Sequence, residues 1–235
     1  MSPKVISLSV IVPVYNEEKT IIRILQKLKI LKSVCDLEIV IVNDGSSDNT
    51  KKILEDNKNL YSQAVHIDKN LGKGKAVIEG LKKSSFNYIV FQDADLEYDP
   101  EDLKMFIEKI NNSNADLILG SRFIGNERSV LNFWHMVGNK LITLIFNLLN
   151  NTTFSDIYCC YLLYKRENLN ENKLKSFKWG QQAEILTYVV KNSKKIYEIG
   201  INYDARKYED GKKIRYYHVF SVIYWIVVTR IKTIF

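Results

Sequence analysis

Two carboxylates spaced two residues apart, Asp93 and Asp95, lie in the stretch FQDADLEYDPED, Phe91 to Asp102. In an extended chain, residues two apart point to the same side, so this pair would converge. Two converging carboxylates repel each other unless a cation joins them. A divalent ion with a bound diphosphate fits, because Mg²⁺ takes one or two carboxylates together with phosphate oxygens. The same residues also read as a polar strand-to-helix turn. The stretch begins as a strand, with Tyr88, Ile89, Val90 and Phe91 forming a β-branched and aromatic run. It ends as a helix start: Asp99 can cap, Pro100 suits the first helical position and Asp102 the first turn. The pair is thus expected at the C-terminal end of a strand, where open α/β sheets bind ligands.

The elements that must position this pair follow from periodicity. Ser7 to Val12 reads as a buried strand ended by Pro13, and Asn16 can cap the helix that follows, with Ile21, Ile22, Leu25 and Leu28 on one stripe. Leu37 to Val42 is a second apolar strand. It runs into NDGSSDNT, Asn43 to Thr50, where Gly45 permits a tight turn and Asp48 can cap a helix. Ala64 to Ile67 is a third strand, followed by NLGKGKA, Asn70 to Ala76, and a helix to Leu81. A helix over Pro100 to Ile110 and a strand over Ala115 to Leu119 come next. This alternation predicts an α/β fold with a mostly parallel sheet covered by helices on both faces.

The second half changes character. Phe133 to Asn150 gathers Phe133, Trp134, Val137, Leu141, Leu144, Ile145 and Leu148 on one side of an amphipathic helix. An aromatic strand is expected over Ile157 to Tyr164, then a helix near Gln181 to Lys191 and a strand over Lys195 to Ile201. The tail from Tyr216 to Phe235 repeats Val219, Val222, Ile223, Ile226, Val227 and Ile231 as a second amphipathic helix. Its uncharged run, Tyr216 to Thr229, falls short of the ~20 apolar residues that cross a bilayer. The helices can lie in a membrane interface, with Trp225 and Tyr224 at headgroup depth, or pack on the domain or on a second copy.

The 235 residues accommodate one large domain or two small ones, and no repeat or low-complexity linker divides them. At 46% hydrophobic and 26% charged, the chain can bury a real core. A net charge of +7 favours anionic partners without choosing among nucleotides, phospholipids and nucleic acid. Cys35, Cys159 and Cys160 form neither a disulfide framework nor a zinc spacing, and His66, His135 and His218 are scattered. A reduced compartment is expected. Met1 to Ile6 is too short for a signal peptide and runs directly into a strand.

Five short segments occur in order: VPVYNEE (Val12 to Glu18), VNDGSSDNT (Val42 to Thr50), NLGKGKA (Asn70 to Ala76), QDADLEYDPED (Gln92 to Asp102) and GSRF (Gly120 to Phe123). Together they resemble the inverting GT-A glycosyltransferases of family 2, and among these the dolichyl- or polyprenyl-phosphate sugar synthases. The resemblance covers the first half strongly and the rest more weakly. It implies a GT-A fold with C-terminal amphipathic helices, residues 1–215 forming the glycosyltransferase domain and 216–235 an amphipathic tail. Within that domain, residues 1–125 would hold the nucleotide sugar and residues 126–215 the acceptor.

The resemblance also implies roles. Pro13, Tyr15 and Glu17 would border the base and ribose, and Asp44 would help hold the nucleoside. Asn43 stands where many relatives carry an Asp. Gly72 and Gly74 would let backbone approach a phosphate, with Lys73 or Lys75 adding charge. Asp93 and Asp95 match the DxD motif for metal and sugar, and Glu97 stands where the synthases often carry Gln, a further metal ligand. Arg122 would face phosphate. Asp156 and the strand after it would border the acceptor, and Glu184 matches an acidic residue of the next helix. Tyr158 to Leu162 (YCCYL) departs from the charged pattern of close relatives. The run Ile201 to Arg215 resembles a basic loop over donor and acceptor phosphates, carried by Arg206, Lys212 and Lys213.

The implied reaction moves a hexose from a nucleotide sugar, of the GDP-mannose or UDP-glucose type, to a polyprenyl monophosphate. Mg²⁺ or Mn²⁺ would stabilise the diphosphate leaving group. A phosphate acceptor is largely anionic near neutral pH and needs little help from a base. A sugar-hydroxyl acceptor would need one, with Asp156 or Glu184 as candidates. A non-catalytic nucleotide-sugar-binding protein is the third class, and nucleic-acid binding has no motif behind it. The lipid acceptor implies peripheral contact with the cytoplasmic face of a membrane, with a membrane-anchoring subunit or a homo-oligomer compatible with it.

Overall fold

The computed structural model of the chain describes residues 6–125, 132–205 and 218–234. Seven strands form one sheet: β1 (Ser7–Val14), β2 (Asp36–Asp44), β3 (Gln63–Ile67), β4 (Tyr88–Phe91), β5 (Leu117–Ser121), β6 (Leu162–Lys165) and β7 (Ile196–Gly200). Their order is β3-β2-β1-β4-β6-β5-β7. The β1–β2, β1–β4, β2–β3 and β5–β7 pairs are parallel, whereas β6 runs antiparallel to both β4 and β5. The α-helices among the described residues are α1 (Ile21–Leu28), α2 (Thr50–Asp56), α3 (Lys73–Lys83), α4 (Leu103–Ser113), α5 (Phe133–Asn150), α6 (Gln181–Asn192) and α7 (His218–Ile234).

The apolar runs dictate this arrangement. The four residues of β4 are all buried, as in a strand covered on both faces. The chain winds outward from β1 to β3 and then returns to β4 on the other side of β1. The C-terminal ends of β1, β2 and β4 therefore meet at a point where the winding direction reverses, and loops there open onto a crevice.

Several boundaries differ from expectation, each for a local reason. β1 continues through Pro13 to Val14. The Ile11 carbonyl accepts from Gln92 N–H on the β4 side, and Pro13 shares that orientation where β4 has ended, so its missing N–H leaves no ladder bond unmade. Asn16 does not cap α1. It adopts a left-handed φ of 55°, and its side-chain Oδ1 accepts from Ser47 N–H at 2.8 Å. Asp99 does accept from Glu101 N–H at 3.1 Å, but Pro100–Asp102 forms a 3₁₀ turn before α4. The strand expected from Ile157 shrinks to Leu162–Lys165. Tyr158 N–H turns back onto the Asp156 carboxylate and Leu162 N–H onto the Cys160 carbonyl, so regular pairing with β5 starts only at the end of this stretch. The three cysteines are buried and unpaired.

α5 and α7 orient their apolar stripes unexpectedly. α5 buries Ile142, Thr143 and Phe146, whereas Trp134 and Leu148, on its expected apolar side, are each 75% exposed. α7 buries Val222 and Ile226 and packs on α5 and α6, but leaves Phe220, Tyr224, Val227 and Ile231 exposed. No helix among the described residues is long and apolar enough to cross a membrane.

α3 lies across β1 and β2 at Gly80, where an added Cβ would stand 2.4 Å from Ile11 Cγ2 and 3.3 Å from Val42 Cγ2. Gly80→Ala is therefore expected to lower stability by about 1–3 kcal/mol, overriding the better helix propensity of alanine. Urea unfolding checks this, and a midpoint at or above that of the wild type would contradict it.

Candidate active site

Loops from the two halves of the sheet meet at its C-terminal edge, and carboxylates hold most of them in place. After β1, Glu18 N–H donates to Asp48 Oδ2 at 3.2 Å, and Asn49 N–H donates back to Glu18 Oε2 at 3.0 Å. Glu17 N–H donates to Thr50 Oγ1 at 3.0 Å. These bonds clasp the loop carrying Tyr15 and Glu17, both half-buried, to the loop after β2. Pro13, also half-buried, lies at the base of the first loop in β1. Asn43 closes an Asx turn onto Ser46 N–H at 3.1 Å.

Asp44 sits at the end of β2 and is 3% exposed. Leu71 and Gly72 N–H donate to its two carboxylate oxygens at 2.9 and 2.8 Å. Asp44 thus pins the GKG loop to the sheet. Gly72 adopts φ 99°, and α3 begins immediately after it. A Cβ at Gly74 would meet the backbone carbon of Phe177 at 2.6 Å, so the close approach permitted here is taken by the Ser176–Phe177 backbone. Glu184, fully buried in α6, shapes that backbone by accepting from Lys175 and Ser176 N–H. Burial pushes the Glu184 carboxyl above its ordinary range, only partly offset by these donors.

The two GKG lysines diverge. Lys75 pairs with Glu79 at 2.6 Å and lies 5.6 Å from the Phe177 ring. Lys73 instead reaches Asp93, with Nζ 2.5 Å from Oδ1. Burial works against the charge on Lys73, but Asp93 outweighs it and holds the ammonium protonated above its ordinary range.

Asp93 and Asp95 are both half-buried beyond the end of β4. They do not continue the extended strand. Asp95 Oδ1 accepts from Glu97 N–H at 3.1 Å and Leu96 takes φ 66°, which draws this stretch into a turn. Gln92 braces it from beneath: fully buried, it donates to the carbonyls of Asp93 at 3.0 Å and Tyr98 at 3.4 Å, and accepts from Tyr161 OH at 2.7 Å. Glu97 Oε2 accepts from Tyr203 OH at 2.7 Å. Among the described residues, no three His, Cys, Asp or Glu side chains gather closely enough to hold a metal ion, so Glu97 does not join Asp93 and Asp95 in a ready-made ligand cluster. Asp93 pairs with the Lys73 ammonium and Asp95 stands two residues away, and two carboxylates of this kind are a donor set that Mg²⁺ or Mn²⁺ accepts together with diphosphate oxygens.

Arg122 follows β5 and lies in a buried ion pair. Its Nε and Nη2 donate to Asp156 Oδ2 and Oδ1 at 2.7 and 2.9 Å, and its backbone N–H adds a bond of 3.1 Å. Asn139 of α5 also donates to Asp156 Oδ1, at 2.9 Å. Burial opposes the Asp156 charge, but Arg122 and these donors hold its carboxyl below the ordinary carboxylate range. The Tyr203 ring stands 5.2 Å from the Arg122 guanidinium, which links this pair to Glu97. Tyr158 OH donates to the Trp179 carbonyl at 2.6 Å. Arg206, Lys212 and Lys213 lie outside the described residues.

Sequence reasoning missed Gln92, Asn139 and Tyr203. Gln92 left a signal, a lone amide at the end of an all-apolar strand. Asn139 left a weaker one, a polar position off the apolar stripe of its helix. Tyr203 left none, because its partner Glu97 is remote in sequence.

A sequence profile described as Glycosyl transferase family 2 matches residues 9–172. The chain is 32% identical over 220 residues to an uncharacterized protein of Methanocaldococcus jannaschii, covering 87% of this chain and 93% of that protein. It is 25% identical over 214 residues to the undecaprenyl-phosphate 4-deoxy-4-formamido-L-arabinose transferase of Proteus mirabilis, covering 89% of this chain but only 63% of that longer protein. In fold it is similar to glucosyl-3-phosphoglycerate synthase from Mycobacterium tuberculosis, solved with Mn²⁺, uridine diphosphate and phosphoglyceric acid. That match has a TM-score of 0.69 at 17% identity and covers 96% of this chain and 78% of that one.

Replacing Asp156 by Asn should cost about 3–5 kcal/mol near neutral pH by leaving Arg122 buried without its counter-charge. The folded-state pKa of Asp156 lies below the ordinary value of 3.8, so its stabilisation is present above that value and lost as pH falls through the folded pKa. The stability gap between wild type and Asp156→Asn is thus expected to be full at about pH 7 and to narrow below about pH 4. Urea unfolding across that range measures it, and a gap indifferent to pH would refute the assignment.

Proposed function

The chain belongs to glycosyl transferase family 2, and from that premise we propose that it moves a hexose from a nucleotide sugar to a polyprenyl monophosphate at the cytoplasmic face of a membrane. The observation that carries the choice of acceptor is α5. Its outer stripe of Phe133, Trp134, Val137, Leu141, Leu144 and Leu148 is exposed and apolar. Its inner side reaches the site directly, with Asn139 on Asp156 and Lys140 Nζ donating to the Ser155 carbonyl at 3.3 Å. Neither α5 nor α7 contains an acidic residue, whereas Lys140, Arg230 and Lys232 supply positive charge. An apolar helix face with aromatic and basic residues suits the interface of an anionic bilayer. A lipid held by α5 would bring its phosphate beside Arg122. The Proteus mirabilis relative, named for transfer involving undecaprenyl phosphate, supports the same acceptor class.

The carboxylates support a phosphate acceptor over a hydroxyl. Asp156 and Glu184, the two candidate bases, are fully buried, and both accept several hydrogen bonds from within the protein. A phosphomonoester with a second pKa of roughly 6 already carries its nucleophilic oxygen near neutral pH. It attacks the anomeric carbon in line, and the bond to the departing nucleoside diphosphate breaks with inversion.

Asp93 and Asp95 would hold Mg²⁺ or Mn²⁺ together with that diphosphate. When bound, the ion offsets the negative charge that builds up on the leaving group. The residues of the chain orient the rest. Asp44 fixes the GKG loop so that Lys73 faces the phosphates, while Pro13, Tyr15 and Glu17 border the nucleoside. Asp156 aligns Arg122 near the acceptor. Glu97 acts beside the acidic pair, and Arg206, Lys212 and Lys213 add phosphate contacts.

Two measurements test this. With a panel of radiolabelled UDP- and GDP-hexoses, Mn²⁺ and a polyprenyl phosphate, label should enter the organic phase, and Asp95→Ala should reduce its rate by about a hundred-fold or more. Donor hydrolysis with no label in lipid would exclude the lipid acceptor. Separately, Trp134→Glu and Leu148→Glu should each weaken binding to phosphatidylglycerol vesicles by roughly ten-fold, because each removes an exposed apolar side chain that would insert into the bilayer and adds a repelled charge. Unchanged co-sedimentation of both variants would exclude α5 as the membrane face.

A further inference from the structure

We propose that Lys73 and a divalent ion hold Asp93 by exchange: the ammonium occupies the carboxylate, the ion displaces it, and the released ammonium turns to the donor's diphosphate. This rests on the metal-nucleotide site proposed above and adds to it a role for the chain's own cation.

The geometry points to Lys73 alone of the two lysines. Lys75 is held by Glu79 and the Phe177 ring. Lys73 reaches Asp93 Oδ1 at 2.5 Å, the contact a divalent ion would also seek. A dication seeking the oxygen that already carries the Lys73 ammonium meets strong repulsion at such a separation, so binding of the ion favours departure of the ammonium. Asp93 belongs to a turn braced by Gln92, so the lysine is the partner free to move.

The base of Lys73 is fixed while its side chain is not. Asp44 pins Gly72, and Gly74 lies beneath the Phe177 backbone, so the first turn of α3 cannot follow the ion. The four-carbon stem, with its side chain 38% exposed, can swing. The first-turn amides of α3 are partly occupied: Lys75 N–H bonds the carbonyls of Gly72 and Phe177, and Ala76 N–H that of Gly72. A diphosphate arriving here therefore meets side-chain charge more than backbone donors, and Lys73 is the cation poised to supply it.

Exchange has a thermodynamic consequence. The ion frees Lys73 for the diphosphate, and a diphosphate that draws Lys73 away frees Asp93 for the ion. Each must strengthen the other by the same factor. The ion alone is then held weakly, and the site fills with ion and nucleotide together.

The test compares wild type, Lys73→Met and Lys73→Arg. Mn²⁺ binding without nucleotide, read by electron paramagnetic resonance of the free ion, should tighten about five-fold or more in Lys73→Met and stay near wild type in Lys73→Arg. UDP and GDP, each titrated at saturating Mn²⁺, should bind about ten-fold more weakly to Lys73→Met for whichever base the site accepts. Wild-type protein gives an independent reading by lysine acetylation footprinting: Mg²⁺ alone should raise labelling of Lys73, and adding the nucleotide should lower it again. Equal Mn²⁺ affinity in wild type and Lys73→Met, or labelling indifferent to Mg²⁺, overturns the exchange while leaving a metal site in place. No Mn²⁺ binding by any of the three proteins, with or without UDP or GDP, removes the metal-nucleotide site itself, and the exchange with it.

Discussion

The buried ion pair between Arg122 and Asp156 constrains the C-terminal half of the molecule. An ionised carboxylate with no exposure is tolerable only when its acceptor sites are filled. Here Arg122, just after β5, supplies the guanidinium and a backbone N–H, α5 supplies the Asn139 amide, and the turn at Tyr158 supplies another N–H. Each donor is a separate piece of chain, and moving any of them strands charge in the interior. Glu198 of β7 extends the constraint by accepting from the N–H groups of Ser155 and Asp156. An aliphatic core would allow these elements to slide by a fraction of a helical turn, whereas a bidentate pair with fixed directions does not. The helix that presents an apolar stripe outward is held in register with the site by the same atoms.

Carboxylates perform two kinds of work at the crevice, separated by what they accept. Asp44, Asp48, Asp102 and Glu184 accept backbone N–H groups and shape loops. Asp93 faces an ammonium across a half-exposed gap. The first group acts as rigid fastening: withdrawing one carboxylate leaves buried amides without partners. Asp93 has a mobile cation as its partner, and a mobile cation can be replaced. Composition does not separate these roles, since all are acidic residues. Only the identity of the donor does.

That distinction marks the limit of what could be read from residues alone. The order of strands and helices was legible because alternation of apolar runs carries it, and the five motif segments do fall at the ends of strands. The DxD stretch was legible in place but not in shape. Its convergence was inferred from strand periodicity, and the chain turns instead because Asp95 captures the N–H of Glu97. The choice between Lys73 and Lys75 was not legible, because both flank the same glycine and only the rotation of α3 separates Asp93 from Glu79 as partners. The stripe of α5 was visible as periodicity, yet periodicity does not say which face the protein buries. The buried face is the one that carries Asn139, Thr143 and Phe146, because Asp156 requires the amide.

The segment just after β7 is tied to the acidic turn. Asn202 donates to both oxygens of Asp102 at 2.7 and 2.8 Å, Asp204 N–H reaches the Glu97 carbonyl at 3.0 Å, and Tyr203 closes onto Glu97 while stacking at 5.1 Å from Tyr98. Burial pushes the Asp102 carboxyl up, and Asn202 partly offsets it. The shape of the acidic turn therefore depends on a segment just after β7. Without that segment Asp102 would lack both Asn202 donors, and a largely buried carboxylate so placed gains by protonating or by opening the turn to water. The geometry of Asp93 and Asp95 becomes available only when the sheet has closed through β6, β5 and β7 and brought residues 202–204 back across the crevice.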